Sequence, residues 1–497
     1  MRSYRPARSS LRRIVTVVLL LAFAAGAAAW KLADVKPDPN AQAIADGCQR
    51  DTTKIYTGFA PNWVYVNDKD FSPGGPAPVP KWVAGKVAGP SGLLASRVAS
   101  SDDPITHRSY DVNVDVTVVK SDDFLTGVSR DTTLEQGTIH MERESASYPM
   151  WAWPQPGDLV QAYGSWVWDC DHYQGRGEKT EFHPFRAVWV QRRNGEPSPT
   201  SRRGESEADL FVSTDATPAG RQAQCAHETK GSDRFKACSH TTPDWLSVNG
   251  TYELDVCAPD PHPKDVNLTW RMVDRGSVNA PKIPVYGGND GCASVRFTLD
   301  APAGKRVIVA KQIYVGWTKQ VPVDHLRLRF DKLLVRRAMD PSCAPDRPAC
   351  PQAAESTLLG QIVTSPGEWQ LTWSVNGIWG RWPGTLAAKD GSIFKGSQSV
   401  DFYVRRGKPW TFVTIARECD FGALPGWDGL GHPTLPCPRS SEVGNSSGDD
   451  YPGAITITHQ GPALGRHVAD APTAGSTCPP SNVKGCYQLT YTVSRLR

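Results

Sequence analysis

Residues 110–119, Tyr-Asp-Val-Asn-Val-Asp-Val-Thr-Val-Val, carry the clearest strand pattern of the chain. Every second residue from Val112 to Val118 is a valine, and polar residues fill the positions between them: Asp111, Asn113, Asp115 and Thr117. Successive side chains of a β-strand point to opposite faces, so this alternation predicts a strand with one apolar and one polar face.

Similar segments follow at short intervals along the chain. They lie at 123–128, 138–144, 159–168 and 181–191. In the second of them Ile139 and Met141 alternate with His140 and Glu142. About five strands within about 85 residues favour a small closed β-barrel of the OB type over residues 93–193, because a closed barrel leaves no exposed sheet edge.

Strand patterns separated by glycine and proline turns continue through the rest of the chain. Their spacing favours one β-sandwich over residues 207–338 and a second over residues 357–497. The second sandwich is expected to contain a long loop at 420–452, stapled by a disulfide. The predicted fold class is therefore all-β, an OB-like barrel followed by two sandwich-like domains.

Three stretches are expected to lack regular structure. Residues 194–206 and 339–356 are polar and contain prolines, which is typical of linkers. Residues 30–92 form a lead-in that is rich in proline and glycine, above all at 72–92, and we expect it to be irregular.

The N-terminus has the pattern of an export signal. Residues 1–13 contain five arginines, and residues 14–29 form an uncharged, apolar run that ends in small residues. This pattern favours a secretory signal peptide over residues 1–29, with Ala27 and Ala29 offering the cleavage site. The run is shorter than the ~20 residues of a membrane-spanning helix, and an uncleaved anchor is the alternative. We therefore expect an exported protein, periplasmic or extracellular, that meets a membrane only through residues 14–29 if these are retained.

The charge of the chain is concentrated in this leader. The whole chain has a formal net charge of +4, and residues 1–29 contribute five positive charges and no negative one, which leaves −1 for the remainder. A nearly neutral body has no bulk attraction to polyanions, so no nucleic-acid partner is expected.

The chain has twelve cysteines, all after the leader. An even number in an exported protein favours disulfides, and the spacings of zinc sites are absent from the sequence. Sequence alone does not fix the connectivity, but short loops favour the neighbouring pairs. The expected pairs are Cys225–Cys238, Cys257–Cys292, Cys343–Cys350, Cys419–Cys437 and Cys478–Cys486, which leaves Cys48 and Cys170 for each other.

The densest group of chemically active residues lies around a predicted hairpin. Glu181 and His183 share one face of a strand because they are two positions apart, while Asp169 and His172 lie at the end of the preceding strand and in its loop. Two imidazoles and two carboxylates can hold a divalent metal. The same four groups can instead tie the hairpin together through hydrogen bonds between imidazole and carboxylate. The sequence leaves both interpretations open; the second needs no cofactor.

The hairpin resembles that of a group of exported bacterial β-rich proteins. The resemblance rests on a G-x-W strand, a D-C-x-H segment at 169–172 and a T-E-x-H-P segment at 180–184, and it covers residues 110–191. It implies β structure and no particular reaction.

Pairs of tryptophans form a second feature. They occur at positions 151 and 153, 166 and 168, 369 and 373, and 379 and 382. Exposed rings on one face would stack on a carbohydrate, whereas buried rings would simply fill the core, which is the commoner role of tryptophan on a strand.

Several common catalytic signatures are absent from the sequence. It contains no H-E-x-x-H, P-loop or G-x-G-x-x-G motif. The first hypothesis is therefore an exported, disulfide-stabilised protein that binds rather than catalyses, with a role at the envelope. The alternatives are a metal-dependent enzyme that uses Asp169, His172, Glu181 and His183, and a carbohydrate-binding protein.

Overall fold

The structure is a computed structural model. It describes residues 63–66, 80–88, 96–98, 111–126, 137–144, 148–169, 179–214, 247–260, 262–287, 290–302, 304–338, 367–383, 386–419, 453–471 and 486–497. Nearly all of the described regular structure is β, which confirms the predicted fold class. Three short 3-10 helices complete it, at Lys120–Leu125, Met150–Ala152 and Arg192–Gly195.

The N-terminal part is a five-stranded closed barrel. Its strands and their neighbours are β1 (Trp63–Tyr65), β2 (Pro80–Val87), β3 (Ser96–Val98), β4 (Asp111–Val118), β5 (Thr138–Glu144), β6 (Leu159–Asp169) and β7 (Lys179–Gln191). The ring runs β2–β4–β5–β7–β6 and closes on β2. The β5–β7 pair is parallel, and the other pairs of the ring are antiparallel. This closed five-stranded barrel confirms the OB-like prediction.

The alternation that predicted β4 determines the barrel interior. Val112, Val114 and Val116 are fully buried in one apolar cluster with Ile139 and Met141 of β5. The polar residues of both strands therefore point to the outside of the barrel, which is where the candidate site lies.

Two sequence-based expectations about the barrel are wrong. β2, the first strand of the ring, lies inside the stretch 72–92 that composition led us to expect to be irregular, because Val83 and Val87 are inward-facing apolar residues despite the surrounding glycines and prolines. The predicted strand at 123–128 begins inside a 3-10 helix. Asp122 accepts a hydrogen bond from the backbone N–H of Ala84 (2.7 Å) and ties that turn to β2 instead.

The second part is a sandwich that shares its larger sheet with the barrel. Its strands are β8 (Ser206–Ser213), β9 (Gly250–Cys257), β10 (Leu268–Asp274), β11 (Val285–Gly287), β12 (Cys292–Leu299) and β13 (Ile308–Trp317). β7 pairs with β8, β8 with β13 and β13 with β10, while β11, β12 and β9 form a separate three-stranded sheet. The core includes Ala187 and Trp189 of β7, so the barrel strand serves both units.

The third part is a sandwich of two five-stranded sheets. Its strands are β14 (Val323–Arg337), β15 (Gly367–Val375), β16 (Ile378–Arg381), β17 (Leu386–Ala388), β18 (Ile393–Lys395), β19 (Ser399–Arg405), β20 (Trp410–Cys419), β21 (Gly453–His459), β22 (Gly465–Ala471) and β23 (Cys486–Arg495). One sheet contains β18, β14, β23, β22 and β19, and the other contains β16, β15, β20, β21 and β17.

The long strand β14 was expected to end the preceding sandwich, within 207–338, and this expectation is wrong. β14 pairs with β18, β19 and β23 of the third part. Its apolar residues Leu326, Leu328 and Phe330 pack into the third core. The proline-containing stretch that follows it suggested a boundary, but the chain changes domain before β14.

One predicted disulfide is confirmed within the described residues. Cys257 and Cys292 are bonded across β9 and β12, where they are direct register partners. Cys486 is also disulfide-bonded, and its predicted partner Cys478 lies outside the described residues. Cys419 ends β20. The remaining predicted pairs involve cysteines outside the described residues, namely Cys48, Cys170, Cys225, Cys238, Cys343, Cys350 and Cys437.

The leader also lies outside the described residues. Among the helices that are described, none is both long and apolar enough to cross a bilayer. The signal peptide and the alternative anchor at 14–29 therefore stay predictions.

A buried ionic network joins the barrel to the second sandwich. The guanidinium of Arg192 donates to the carboxylates of Asp158 (3.0 Å) and Asp209 (2.8 Å from Nε), and to the carbonyl oxygens of Trp153 and Trp151. Asp158, Asp209 and Arg192 are all buried. Burial disfavours the charged guanidinium, but the two carboxylates outweigh it and raise the pKa of Arg192.

A histidine in the third core makes the stability of the protein depend on pH. His459 is buried beside Trp410 and His467, and its Nε2 lies 2.7 Å from the hydroxyl of Tyr491. Burial, and then the nearby His467, lower the pKa of His459 from 6.5 to about 4. The folded protein therefore holds His459 neutral where the unfolded chain would protonate it.

The expected result is a loss of stability between pH 6.5 and 4 that His459→Gln reduces. In this window the unfolded chain binds more protons at this position than the folded chain, so its stabilisation is complete above pH 6.5 and declines as the pH falls. Urea unfolding at a series of pH values measures the slope. Equal slopes for wild type and variant would contradict the assignment.

Candidate metal site

The outer face of the barrel collects five ionisable residues from three adjacent strands. They are Asp115 of β4, His140 and Glu142 of β5, and Glu181 and His183 of β7. Asp115 is the register partner of His140, and His140 is the register partner of Glu181 across the parallel pair. The two residues from β5 and the two from β7 are each two positions apart, so all five share one face of the sheet.

The five side chains form a continuous chain of contacts. Nδ1 of His140 lies 2.6 Å from Oδ1 of Asp115, and its Nε2 lies 2.7 Å from Oε1 of Glu142. Nδ1 of His183 lies 3.1 Å from Oε2 of Glu142 and 3.3 Å from Oε1 of Glu181. Glu142 is therefore the centre of the cluster, with an imidazole at each oxygen.

The cluster is buried and has an excess of acids. His140, Glu142, Glu181 and His183 are each at most 6% exposed, and Asp115 is half-buried. Burial on its own would raise the pKa of Glu142, but hydrogen bonds and charge from His140 and His183 together lower it well below its usual value. Three carboxylates thus face two imidazoles, and positive charge stabilises such a buried set, for example as protons on the rings or as a bound cation.

The donor set suits a transition metal. Ligand atoms of His140, Glu142 and Glu181 all lie within 4.8 Å of one another, close enough to surround one ion. His183 points its Nδ1 at the same two glutamates. Imidazole with carboxylate is a ligand combination for Zn²⁺, Mn²⁺ or Fe²⁺, whereas Ca²⁺ takes oxygen ligands alone.

Asp115 lies in the position of a supporting residue. A histidine that binds a metal through one ring nitrogen commonly donates its other N–H to a carboxylate, which fixes the ring orientation and raises the basicity of the ligating nitrogen. The contact between Nδ1 of His140 and Asp115 leaves Nε2 of His140 directed at Glu142, as this role requires.

Half of the predicted metal set lies in this cluster. Glu181 and His183 come together as expected. Asp169 lies at the end of β6 with Lys179 as its register partner, while the residue opposite Glu181 is Val167. His172 lies outside the described residues. The partners found instead, His140 and Glu142, are on β5.

Six of the paired tryptophans are core residues. Trp153, Trp166 and Trp369 are fully buried, and Trp373, Trp379 and Trp382 are nearly so. Trp151 is half-buried. These rings therefore do not form the exposed platform that carbohydrate stacking at these positions would need.

Comparison with known protein families and with curated proteins finds no match to this chain. Among solved structures, a C2 domain matches over 34% of this chain and 98% of its own length, at 10% identity and a TM-score of 0.17. Human GIVD cytosolic phospholipase A2 matches over 84% of this chain and 33% of its own length, at 7% identity and a TM-score of 0.16. Likenesses this remote carry no argument about function.

Proposed function

We propose that this protein is an exported, disulfide-stabilised β-protein that binds a divalent transition metal ion on the outer face of its barrel. The ligands are His140, Glu142, Glu181 and His183. The observation that carries the proposal is the buried cluster of three carboxylates and two imidazoles, because one divalent ion would offset two of the three negative charges and bind the lone pairs of the nitrogen and oxygen ligands together.

The burial of the ligands favours a binding site over a catalytic one. A catalytic metal keeps an open coordination position for water or substrate, whereas a structural metal is enclosed by protein ligands. Export agrees with the disulfide between Cys257 and Cys292, since such bonds persist in oxidising compartments.

The test is equilibrium dialysis of the purified protein against Zn²⁺, Mn²⁺ and Ca²⁺. We expect one Zn²⁺ or Mn²⁺ per chain and no Ca²⁺ at this site. Glu142→Gln removes the central ligand and should weaken binding by at least about 100-fold, while Asp115→Asn, which only loses support for His140, should weaken it by about 10- to 100-fold.

Asp274→Asn is the matched control. Asp274 is an exposed carboxylate that pairs with Lys311 away from the cluster, so this variant should bind like wild type. Two outcomes would contradict the metal site: wild type binds no metal, or folded Glu142→Gln and Asp115→Asn variants bind metal as wild type does. The cluster would then be only a structural network of the barrel.

A further inference from the structure

The outer face of the β14 sheet has basic side chains that make no ion pair with its acidic residues Asp331 and Asp470, which pair with Arg329 and Arg336. Lys332 of β14 and Lys395 of β18 are direct register partners, and both point away from the core because Leu333 and Phe394 beside them point into it. Like charges directly opposite each other on neighbouring strands are destabilising. Within the described residues, neither lysine has an ion-pair partner.

Other basic residues of this face are paired, which sets the two lysines apart. Arg327 makes a two-pronged ion pair with Asp401, and Arg329 pairs with Asp331. Arg466 of β22, exposed, lies two strands away from Arg329 in the same row of the sheet. In the part of the chain that the structure describes, Arg466 is a third cation with no acidic partner.

Apolar side chains lie beside these cations on the same face. Ile393 and Leu334 are register partners one row from the lysines, and Val468 stands at the far end of the lysine row, beyond Thr490. Ile393 is 60% exposed and Val468 is 54% exposed. With strands about 4.8 Å apart, the row from Lys395 to Val468 spans about 14 Å.

A lysine on an edge strand can be explained as protection against edge-to-edge pairing. That explanation covers Lys395, since β18 ends the sheet order, but not Lys332, which lies on β14 with a neighbour on each side. The exposed apolar residues are not explained by it either. The combination matches a partner that is both anionic and apolar.

We propose that this face, formed by Lys332, Lys395, Arg466, Ile393 and Val468, docks on the surface of a lipid bilayer that contains anionic phospholipids. The phosphate groups balance the three cations, and the boundary between headgroups and acyl chains accepts the apolar side chains. A soluble polyanion would satisfy the cations but leave Ile393 and Val468 in water. This inference does not rest on the metal site.

The experiment is co-sedimentation of the mature protein with vesicles of phosphatidylcholine, with and without 30–40% phosphatidylglycerol. We expect binding to the anionic vesicles that weakens as salt rises. Lys332→Gln/Lys395→Gln should lower the partition coefficient about 30-fold, because each basic residue near the surface contributes ~1 kcal/mol. The control Lys305→Gln/Lys319→Gln removes the same charge from two exposed lysines elsewhere and should have little effect.

Ile393→Ser/Val468→Ser separates a bilayer from a soluble polyanion. This variant should bind vesicles at least about tenfold more weakly, because a buried methylene contributes ~0.8 kcal/mol, and should bind dextran sulfate as wild type does. The proposal is overturned if wild type does not bind anionic vesicles. It is also overturned if the control variant loses as much binding as the lysine variant, or if the serine variant binds vesicles as wild type does.

Discussion

Arg192→Met lowers the free energy of unfolding by about 3–5 kcal/mol, the cost of breaking a buried ion pair by removing one partner. The buried carboxylates of Asp158 and Asp209 then lose the guanidinium that pairs with them. Burial and the neighbouring Glu207 raise the pKa of Asp209, while Arg192 lowers it. The charged form of Asp209 therefore depends on Arg192, and its removal increases the loss of stability. Urea unfolding followed by tryptophan fluorescence measures the change.

Arg296→Met is the matched control. Arg296 is 64% exposed and its distance to Glu253 is 4.0 Å, the weak geometry of a surface pair. Its loss should change stability by less than about 0.5 kcal/mol. An Arg192 variant that is as stable as the Arg296 variant would show that the network does not hold the barrel to the second sandwich.

Trp369→Ala lowers the free energy of unfolding by about 3–5 kcal/mol, as expected for a large aromatic removed from a core. Trp369 is fully buried between the two sheets of the third part, packs edge-on against Tyr487 and donates from Nε1 to the carbonyl oxygen of Ala338 (2.7 Å). The substitution therefore leaves both a cavity and an unsatisfied carbonyl.

Trp270→Ala provides the comparison for the same side chain. Trp270 is 41% exposed on β10, which ends its sheet, and covers Gly287. Its truncation should cost less than about half as much, since less apolar area leaves the protein interior. Equal losses at the two positions would contradict the burial on which the core assignment of the tryptophans depends.

Local patterns were sufficient to predict the fold class. The valine alternation of β4 is a property of consecutive residues, and so are the turns between strands. The errors concern strands whose domain is determined by pairing partners far away in the sequence. β14 joins the third part through β23, more than 140 residues later, and no feature inside β14 reveals that partner.

The residues of the candidate site also fall into a part that local patterns predicted and a part that depends on distant strand pairing. Glu181 and His183 were predicted because two positions on one strand share a face. His140 and Glu142 were visible as the polar face of β5, yet nothing in the sequence shows that β5 lies parallel to β7. The pairing of His140 with Glu181 joins strands that are separated by all of β6. The signal that the sequence does offer is the polar face of β5, where His140 and Glu142 are two positions apart.

Zinc-edge X-ray absorption of the protein loaded with one equivalent of Zn²⁺ identifies the atoms that bind the metal. We expect a shell of nitrogen and oxygen ligands at about 2.0–2.2 Å with the multiple scattering of imidazole, and we expect Glu142→Gln to lose it. A sulfur shell at about 2.3 Å would place zinc on cysteine thiolates instead. Either that shell, or a spectrum of hydrated zinc alone, would contradict a metal site on the barrel face.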